Sequence, residues 1–406
     1  MKKRLPILLL IISGIINAQT VNIPDAVFKD KLLESSHSNT IAKNLDGLYF
    51  TIDSNNDDEI QVSEVLQVSA LNVFDEFAEL FIHDLAGVEA FLNLLELNVE
   101  GHELTNLNIT DLVNLTELHC DGNQLSSLDI SQNVNLLKLT CEGNLLTSLD
   151  VTQHLNLTHL YCGSNQLTSI DVTENTGLLV LGFSGNQLTS IDVKDNSVLE
   201  SLDCSYNQLN SLNVNQNLLL ANLFCYNNQI TNLDLNINSE LYRLKCNDNL
   251  LTTLNVNFNS ELDILVCHAN PLENLFIKNG RNESELSIGL MPSLVYICAD
   301  ETQIESVQAI VNDFVVVDSN CLLTVDEIDI NSAINVYPNP AHDILNIKAK
   351  TKIESVNIYD AWGREAQKRT THDTQLTLDI SRLYTGMYYI KVSTDSFDII
   401  KKVIVE

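Results

Sequence analysis

Positive charge is scarce in this 406-residue chain: 22 Lys and Arg stand against 54 Asp and Glu, a formal net charge of −32. Phosphate backbones and anionic lipids demand a cationic surplus, so unaided nucleic-acid or membrane-surface binding is excluded. The balance favours solubility and cationic or basic partners instead. Long apolar runs are also missing. Past residue 18, no segment is long and apolar enough to span a bilayer. No nucleophile elbow, Walker loop, H-E-x-x-H or glycine-rich phosphate loop occurs, and the nine His are scattered. No enzyme is therefore expected. What is present is a 45% apolar fraction, enough for a core and against wholesale disorder. Nine Cys in so long and Leu-rich a chain do not make a small disulfide-stapled scaffold.

Residues 1–18 carry Lys2, Lys3 and Arg4, an apolar run from Ile7 to Ile16, then Asn17 and Ala18. This is the layout of a signal peptide, with the apolar run too short for a comfortable membrane span. Cleavage is expected near Ala18–Gln19, with export of the remainder.

The dominant feature is a repeat. Asn123, Asn144, Asn165, Asn186, Asn207, Asn228, Asn249 and Asn270 recur at a spacing of 21, and His102 holds the preceding register. Three residues before each Asn stands Cys120, Cys141, Cys162, Phe183, Cys204, Cys225, Cys246 or Cys267. The unit reads L-x-x-L-x-C-x-x-N-x-L-x-x-L-[DN]-[VIL], followed by about five polar residues. Such a coil cannot bury its own apolar edge, so coils must stack. In L-x-x-L-x-C, alternate residues of a short parallel strand turn inward, Leu118 with Cys120 and Leu202 with Cys204. The Asn should turn inward as well and bond backbone groups that the bend leaves unpaired.

The Cys column resembles the cysteine-ladder leucine-rich repeats of the internalin group of bacterial surface proteins, over roughly residues 92–277. The resemblance implies an adhesive, partner-binding role. The fold expected is an α/β leucine-rich repeat solenoid with a parallel concave sheet over residues 92–321. Residues 19–91 would form a small helical N-terminal cap. Ladder thiols are read as reduced and packed, because stacked Cβ vectors suit S–S geometry poorly. Metal binding there lacks close C-x-x-C pairs. Cys298 and Cys321, beyond the ladder, are expected to form a structural disulfide.

A second column, Asn108, Asp129, Asp150, Asp171, Asp192, Asn213, Asp234 and Asn255, is read as turn residues bonding nearby backbone rather than as a cation-attracting stripe. Residues flanking each Cys should face outward. Early coils are acidic there, with Glu96, Glu100, Glu117, Asp121 and Glu142. Later coils carry Phe224, Tyr226, Arg243, Lys245 and His268. Together with Tyr161, these six form the candidate ligand-binding set, because aromatic and Arg anchors dominate binding hot spots.

Pro24–Leu33 reads as a short helix. After it, Asp53, Asn55, Asp57, Glu59, Gln61 and Glu64 take positions one, three, five, seven, nine and twelve of a loop that resembles an EF-hand. The Glu59 carbonyl and a bidentate Glu64 are among the implied ligands. Asp58 stands where Gly is usual, which requires a left-handed backbone. Ile60 lacks the partner strand of a second hand, so modest affinity is expected. The implied cofactor is structural Ca²⁺.

Beyond Asn270 the pattern loosens. Leu294–Cys298 and Ile304 echo one degenerate coil, 280–287 reads as a polar loop, and 322–332 as a linker. Residues 333–406 then alternate short apolar runs with turns: 334–337, 344–348, 355–359, 365–369, 375–380, 387–392 and 399–405. Seven strands of this kind point to an all-β, Ig-like sandwich. Tyr337-Pro338-Asn339-Pro340, the Val356–Asp360 run, Gly386-Met387-Tyr388 and Lys401-Lys402 resemble the type A C-terminal sorting domain of type IX secretion. That resemblance implies a secreted protein or one on the outer cell surface of a Gram-negative bacterium, with the secretion machinery as a partner. This segment carries ten Lys and Arg against nine Asp and Glu, so the acidity belongs to the rest of the chain.

The expected function is non-catalytic binding of a protein or glycan on a surface or matrix. The alternatives are an exported hydrolase with the repeat as a targeting module, or a structural surface-layer protein.

Overall fold

The computed structural model of the chain describes residues 19–74, 80–321, 334–394 and 398–406. The expected signal segment 1–18 and linker 322–332 lie outside the described residues. Two compact units divide the chain. The first reaches Leu209 and takes in Gln216–Leu220; the second is Asn210–Asn215 with Ala221–Glu406.

In the first unit, helix Ala26–Leu33 begins where the Asp25 carboxylate accepts the Phe28 N–H at 3.0 Å. It buries Phe28 and Leu32. Strands Ala42–Asn44 and Val68–Asn72 pair antiparallel. The latter opens a parallel series: Glu96–Asn98, Glu117–His119, Lys138–Thr140, His159–Tyr161, Val180–Gly182 and Ser201–Asp203. From Glu96 onward, residues paired across the strands are 21 apart, Leu118 beside Leu139 for example, so the sequence period is the strand-to-strand step. The middle Leu of each strand from Glu96 onward is fully buried, and so is the Val, Cys or Phe two residues on. The residues between them face outward.

The Asn column does what its spacing predicts. Asn165 donates from Nδ2 to the carbonyls of Cys141 at 2.9 Å, Cys162 at 3.2 Å and Gly163 at 3.0 Å, and its Oδ1 accepts the Leu146 N–H at 2.9 Å. One side chain thus joins two coils. Asn123 and Asn144 in this unit, and Asn249 and Asn270 in the second, repeat the pattern. Ahead of each ladder Asn the backbone is left-handed. Gly101, Gly122, Gly143 and Gly185 take this conformation, but so do Ser164, Tyr206, Asn227, Asp248, Ala269 and Leu290.

A second buried column escaped the sequence reading, which assigned its stretch to polar surface. Asn133 donates to the carbonyls of Ile109 at 2.9 Å and Leu112 at 2.8 Å. Asn175, Asn196 and, in the second unit, Asn259 follow suit. His154 fills one place, with Nε2 3.1 Å from the Ile130 carbonyl.

The second unit holds a stack of its own parallel strands, Asn222–Phe224, Arg243–Lys245, Ile264–Val266 and Glu285–Ser287. The last corrects the expected 280–287 loop: 264 to 285 is one more 21-residue step, carried by Leu286 with polar neighbours. A second parallel sheet joins Thr253–Asn255, Asn274–Phe276, Tyr296–Cys298 and Val316–Asp318. Helix Ile304–Ile310 follows Cys298, and the Cys298–Cys321 disulfide closes this end. All seven expected terminal strands are present. Ile334–Tyr337, Ile344–Ala349 and Gln375–Asp379 form one antiparallel sheet. Glu365–Thr370, Ile353–Asp360, Gly386–Thr394 and Asp398–Val405 form another. Both sheets line a single core, with Leu345 and Ile347 from the first and Ile358 and Ile390 from the second.

The seven ladder cysteines are unbridged and buried, and burial pushes up the thiols of Cys120, Cys141, Cys162, Cys246 and Cys267, to about 12 at Cys162 and Cys267. A thiol reagent applied to the native chain should therefore modify none of the seven, and denaturant should release all seven together with loss of structure. Rapid labelling of several under native conditions would show a loosely packed stack.

Candidate ligand-binding face and calcium-type loop

The outward residues of the strand face differ in what surrounds them. Tyr161 is half-buried: its ring edge lies 3.2 Å from where a Cβ on Gly182 would sit. Gly182 thus makes room for a ring lying along the sheet, and Tyr161 is a packed surface rather than a projecting anchor. Tyr161 belongs to the first unit, and the other five candidates belong to the second. Phe224, Tyr226 and Lys245 are half-buried on consecutive strands, and Arg243 is exposed. The Arg243 guanidinium sits 5.5 Å from the Tyr242 ring centre, a cation–π arrangement. His268 Nδ1 is 3.0 Å from Ser287 Oγ, and its Nε2 is 4.0 Å from the Asp248 carboxylate. These five therefore make a mixed aromatic and basic stretch across three strands.

The early coils hold a feature the sequence reading did not place. The cap strand Ala42–Asn44 and its neighbours stand beside the first strands and enclose a pocket of about 320 Å³. Lys43, Tyr49, Glu96, Asn98, Glu117 and His119 are among its lining residues. Lys43 Nζ bonds Glu96 at 3.1 Å, and this bond raises the Lys43 pKa. The Glu96, Glu117 and His119 wall was visible in the repeat. The opposing wall lies outside it, so no period announced it.

Beside the pocket, Glu100, His119 and Asp121 bring one ligand atom each within 4.8 Å of one another, the one such trio of His, Cys, Asp or Glu among the described residues. Burial first, then the Asp121 charge, raises the Glu100 pKa, and Glu142 is raised by the same two causes in the same order.

The turn column is structural, as expected. Each of Asp129, Asp150 and Asp171 accepts the backbone N–H two residues on at 3.0 Å. Hydrogen bonds to the following Ser or Thr hold all three carboxyls below their usual value.

In the loop from Asp53 to Glu64, Asp58 is left-handed with φ 61° and donates its N–H to Asp53 Oδ2 at 3.1 Å. Asp53, Gln61 and Glu64 are buried; Asn55, Asp57 and Glu59 are exposed. The Glu64 carboxylate accepts the Ser54 N–H at 2.8 Å and the Gln61 N–H at 3.0 Å, capping helix Val62–Val65. The isolation expected for Ile60 is corrected. Its carbonyl accepts the Val21 N–H at 2.7 Å, and Val62 donates to the Gln19 carbonyl at 3.0 Å. Residues Gln19–Val21 thus pair with this backbone through an isolated antiparallel bridge, Thr20 opposite Gln61.

With this geometry in place, comparison with known proteins becomes informative. Residues 335–406 match the secretion system C-terminal sorting domain. The chain carries a sorting domain. The whole chain is similar in structure to the functional domain of InlJ from Listeria monocytogenes, which includes a cysteine ladder. The identity is 23%, with 96% of this chain and 98% of that one covered and a TM-score of 0.55. An inlF internalin from the same organism is 18% identical over 74% of this chain and 90% of its own, with a TM-score of 0.50. These likenesses establish an internalin-like leucine-rich repeat fold. Comparison with curated protein sequences finds no match. Among the described residues, no helix is long and apolar enough to cross a membrane.

Proposed function

We propose that this chain is a non-catalytic surface or secreted protein of a Gram-negative bacterium, which binds a protein or glycan on a surface or matrix through its strand face. Delivery by the type IX machinery through residues 333–406 is part of the reading. The observation that carries it is the outward strand residues themselves. The fold holds their backbone by a repeated hydrogen-bonded step, yet they differ from coil to coil, giving a rigid support with a varied surface. Such preorganisation lowers the ordering cost of association. Phe224, Tyr226, Arg243, Lys245 and His268 supply aromatic and basic anchors, and Tyr161 contributes a flat apolar surface.

The test is a glycan and surface-protein array probed with the full chain, followed by affinity measurement on any ligand found. Phe224→Ala with Tyr226→Ala should weaken binding by roughly tenfold or more, as hot-spot truncations do. Tyr161→Ala should cost less, because its ring already packs against Gly182. Affinity unchanged in all three would remove this face from the binding reading.

Structural Ca²⁺ at the loop completes the proposal, with Asp53, Asn55, Asp57, the Glu59 carbonyl, Gln61 and Glu64 as ligands. The left-handed Asp58, its bond to Asp53 and the backbone bridge beside Ile60 support it. Glu64 would exchange its backbone partners for the ion. Millimolar Ca²⁺ should raise the first melting transition by roughly 5 °C. The rise should vanish in Asp53→Ala/Glu64→Ala. An equal rise in that variant would place the ion elsewhere.

A further inference from the structure

Glu100, His119 and Asp121 lie apart from the loop and from the aromatic stretch, and their chemistry is different. His119 and Asp121 flank the buried Cys120, so the pleat turns both outward from one strand end. Glu100 precedes Asp121 by one 21-residue step and stands beside it on the neighbouring coil. The strand pairing of Glu96–Asn98 with Glu117–His119 fixes this juxtaposition.

Two features of the trio call for a cation. The Glu100 and Asp121 carboxyl groups each bring an oxygen within 4.8 Å of the other, where their like charges repel and a cation between them is favoured. The surrounding charge is mostly negative. Glu117 is 3.6 Å from His119 Nε2, Glu142 follows on the next coil, and Lys138 offsets part of the charge on Glu100. The geometry is also suitable. His119 Nδ1 and a Glu100 carboxylate oxygen are 3.5 Å apart. Two ligands at ordinary zinc distances are separated by about 3.4 Å along a tetrahedral edge.

We propose that Glu100, His119 and Asp121 bind a divalent transition-metal cation of the Zn²⁺ type through two carboxylates and one imidazole. Hard alkaline-earth ions prefer an all-oxygen set, and the imidazole selects against them. With Nδ1 on the cation, His119 Nε2–H is left facing Glu117, the carboxylate–histidine–metal pairing that fixes ring orientation. The Thr140 hydroxyl donates to Asp121 Oδ2 and lies 3.1 Å from His119 Nδ1, so it steadies Asp121 while the cation replaces its contact with the ring. Three protein ligands leave a position open, and His119 and Glu117 also line the 320 Å³ pocket. A donor atom from a molecule in that pocket could complete the coordination. Metal binding itself stands whether or not the strand face binds a surface partner.

The test is titration of the full chain with ZnCl₂ by calorimetry, in saturating Ca²⁺ so that the loop does not contribute. The expected result is one Zn²⁺ per chain. Affinity should fall by roughly tenfold or more in His119→Gln and separately in Glu100→Gln, and remain unchanged in Asp53→Ala/Glu64→Ala. Co²⁺ should give visible absorption bands that the His119→Gln chain lacks. Circular dichroism of each variant confirms folding, and Glu100→Gln keeps the test alive should His119→Gln unfold. Absence of stoichiometric Zn²⁺ binding by the folded chain, or binding undiminished in both variants, overturns the proposal.

Discussion

Each 21-residue coil makes a bend whose backbone carbonyls no strand can pair, and the buried Asn that takes them is the interaction on which the rest depends. Asn165 bonds the Cys141 and Cys162 carbonyls and the Leu146 amide, drawn from two coils, and also lies 3.0 Å from the Gly163 carbonyl that the Gly143 amide pairs. A backbone group left buried without a partner costs about 1–3 kcal/mol, so the side chain that fills the bend stabilises it by an amount of that order. The apolar columns make stacking favourable, but they would tolerate a slipped or splayed coil. The Asn bonds do not, because each joins named atoms one coil apart. The second column, from Asn133 onward, ties the far side of the coil in the same way.

That double stitching explains the outward face. Once the step is fixed, residues 21 apart must lie side by side, whatever their charge. Glu100 and Asp121 are therefore held together although they repel, and the turn carboxylates recur along the stack although each has to be stabilised separately. At the turns, local hydrogen bonds settle the charge. At Glu100 and Asp121 the fold instead holds two carboxylates and His119 within 4.8 Å of one another, which is why this point of the acidic surface carries chemical interest. The acidity thus has three separate components: turn residues fixed by backbone amides, the loop from Asp53 to Glu64, and the first coils of the strand face.

Much of this was legible because repetition converts sequence position into spatial position. The Asn and Cys columns gave strand centres, inward residues and the direction of every outward side chain. The terminal strands were legible for a different reason, since apolar alternation between turn residues marks each one. Information failed where the repeat stops or its residues change. The 280–287 coil was hidden because Leu286 stands among polar residues while Met291 replaces the ladder Asn. The pocket wall from Lys43 to Tyr49 belongs to no period. The pairing of Gln19–Val21 with the backbone at Ile60 requires contact across some 40 residues of non-repeating chain. The left-handed column was masked by identity: Tyr206, Ala269 and Leu290 take a conformation that three early glycines alone would have advertised. The candidate site was legible as a list of outward residues. Their depth was not, since it depends on neighbours such as Gly182.

The most direct measurement is hydrogen exchange on the full chain and on Asn165→Ala. If the Asn side chain locks adjacent coils, the Leu146 amide and the strands Lys138–Thr140 and His159–Tyr161 lose protection together, and global stability falls by at least about 2 kcal/mol. Protection unchanged on both coils, with stability altered by less than about 0.5 kcal/mol, would contradict the central role given to the Asn column.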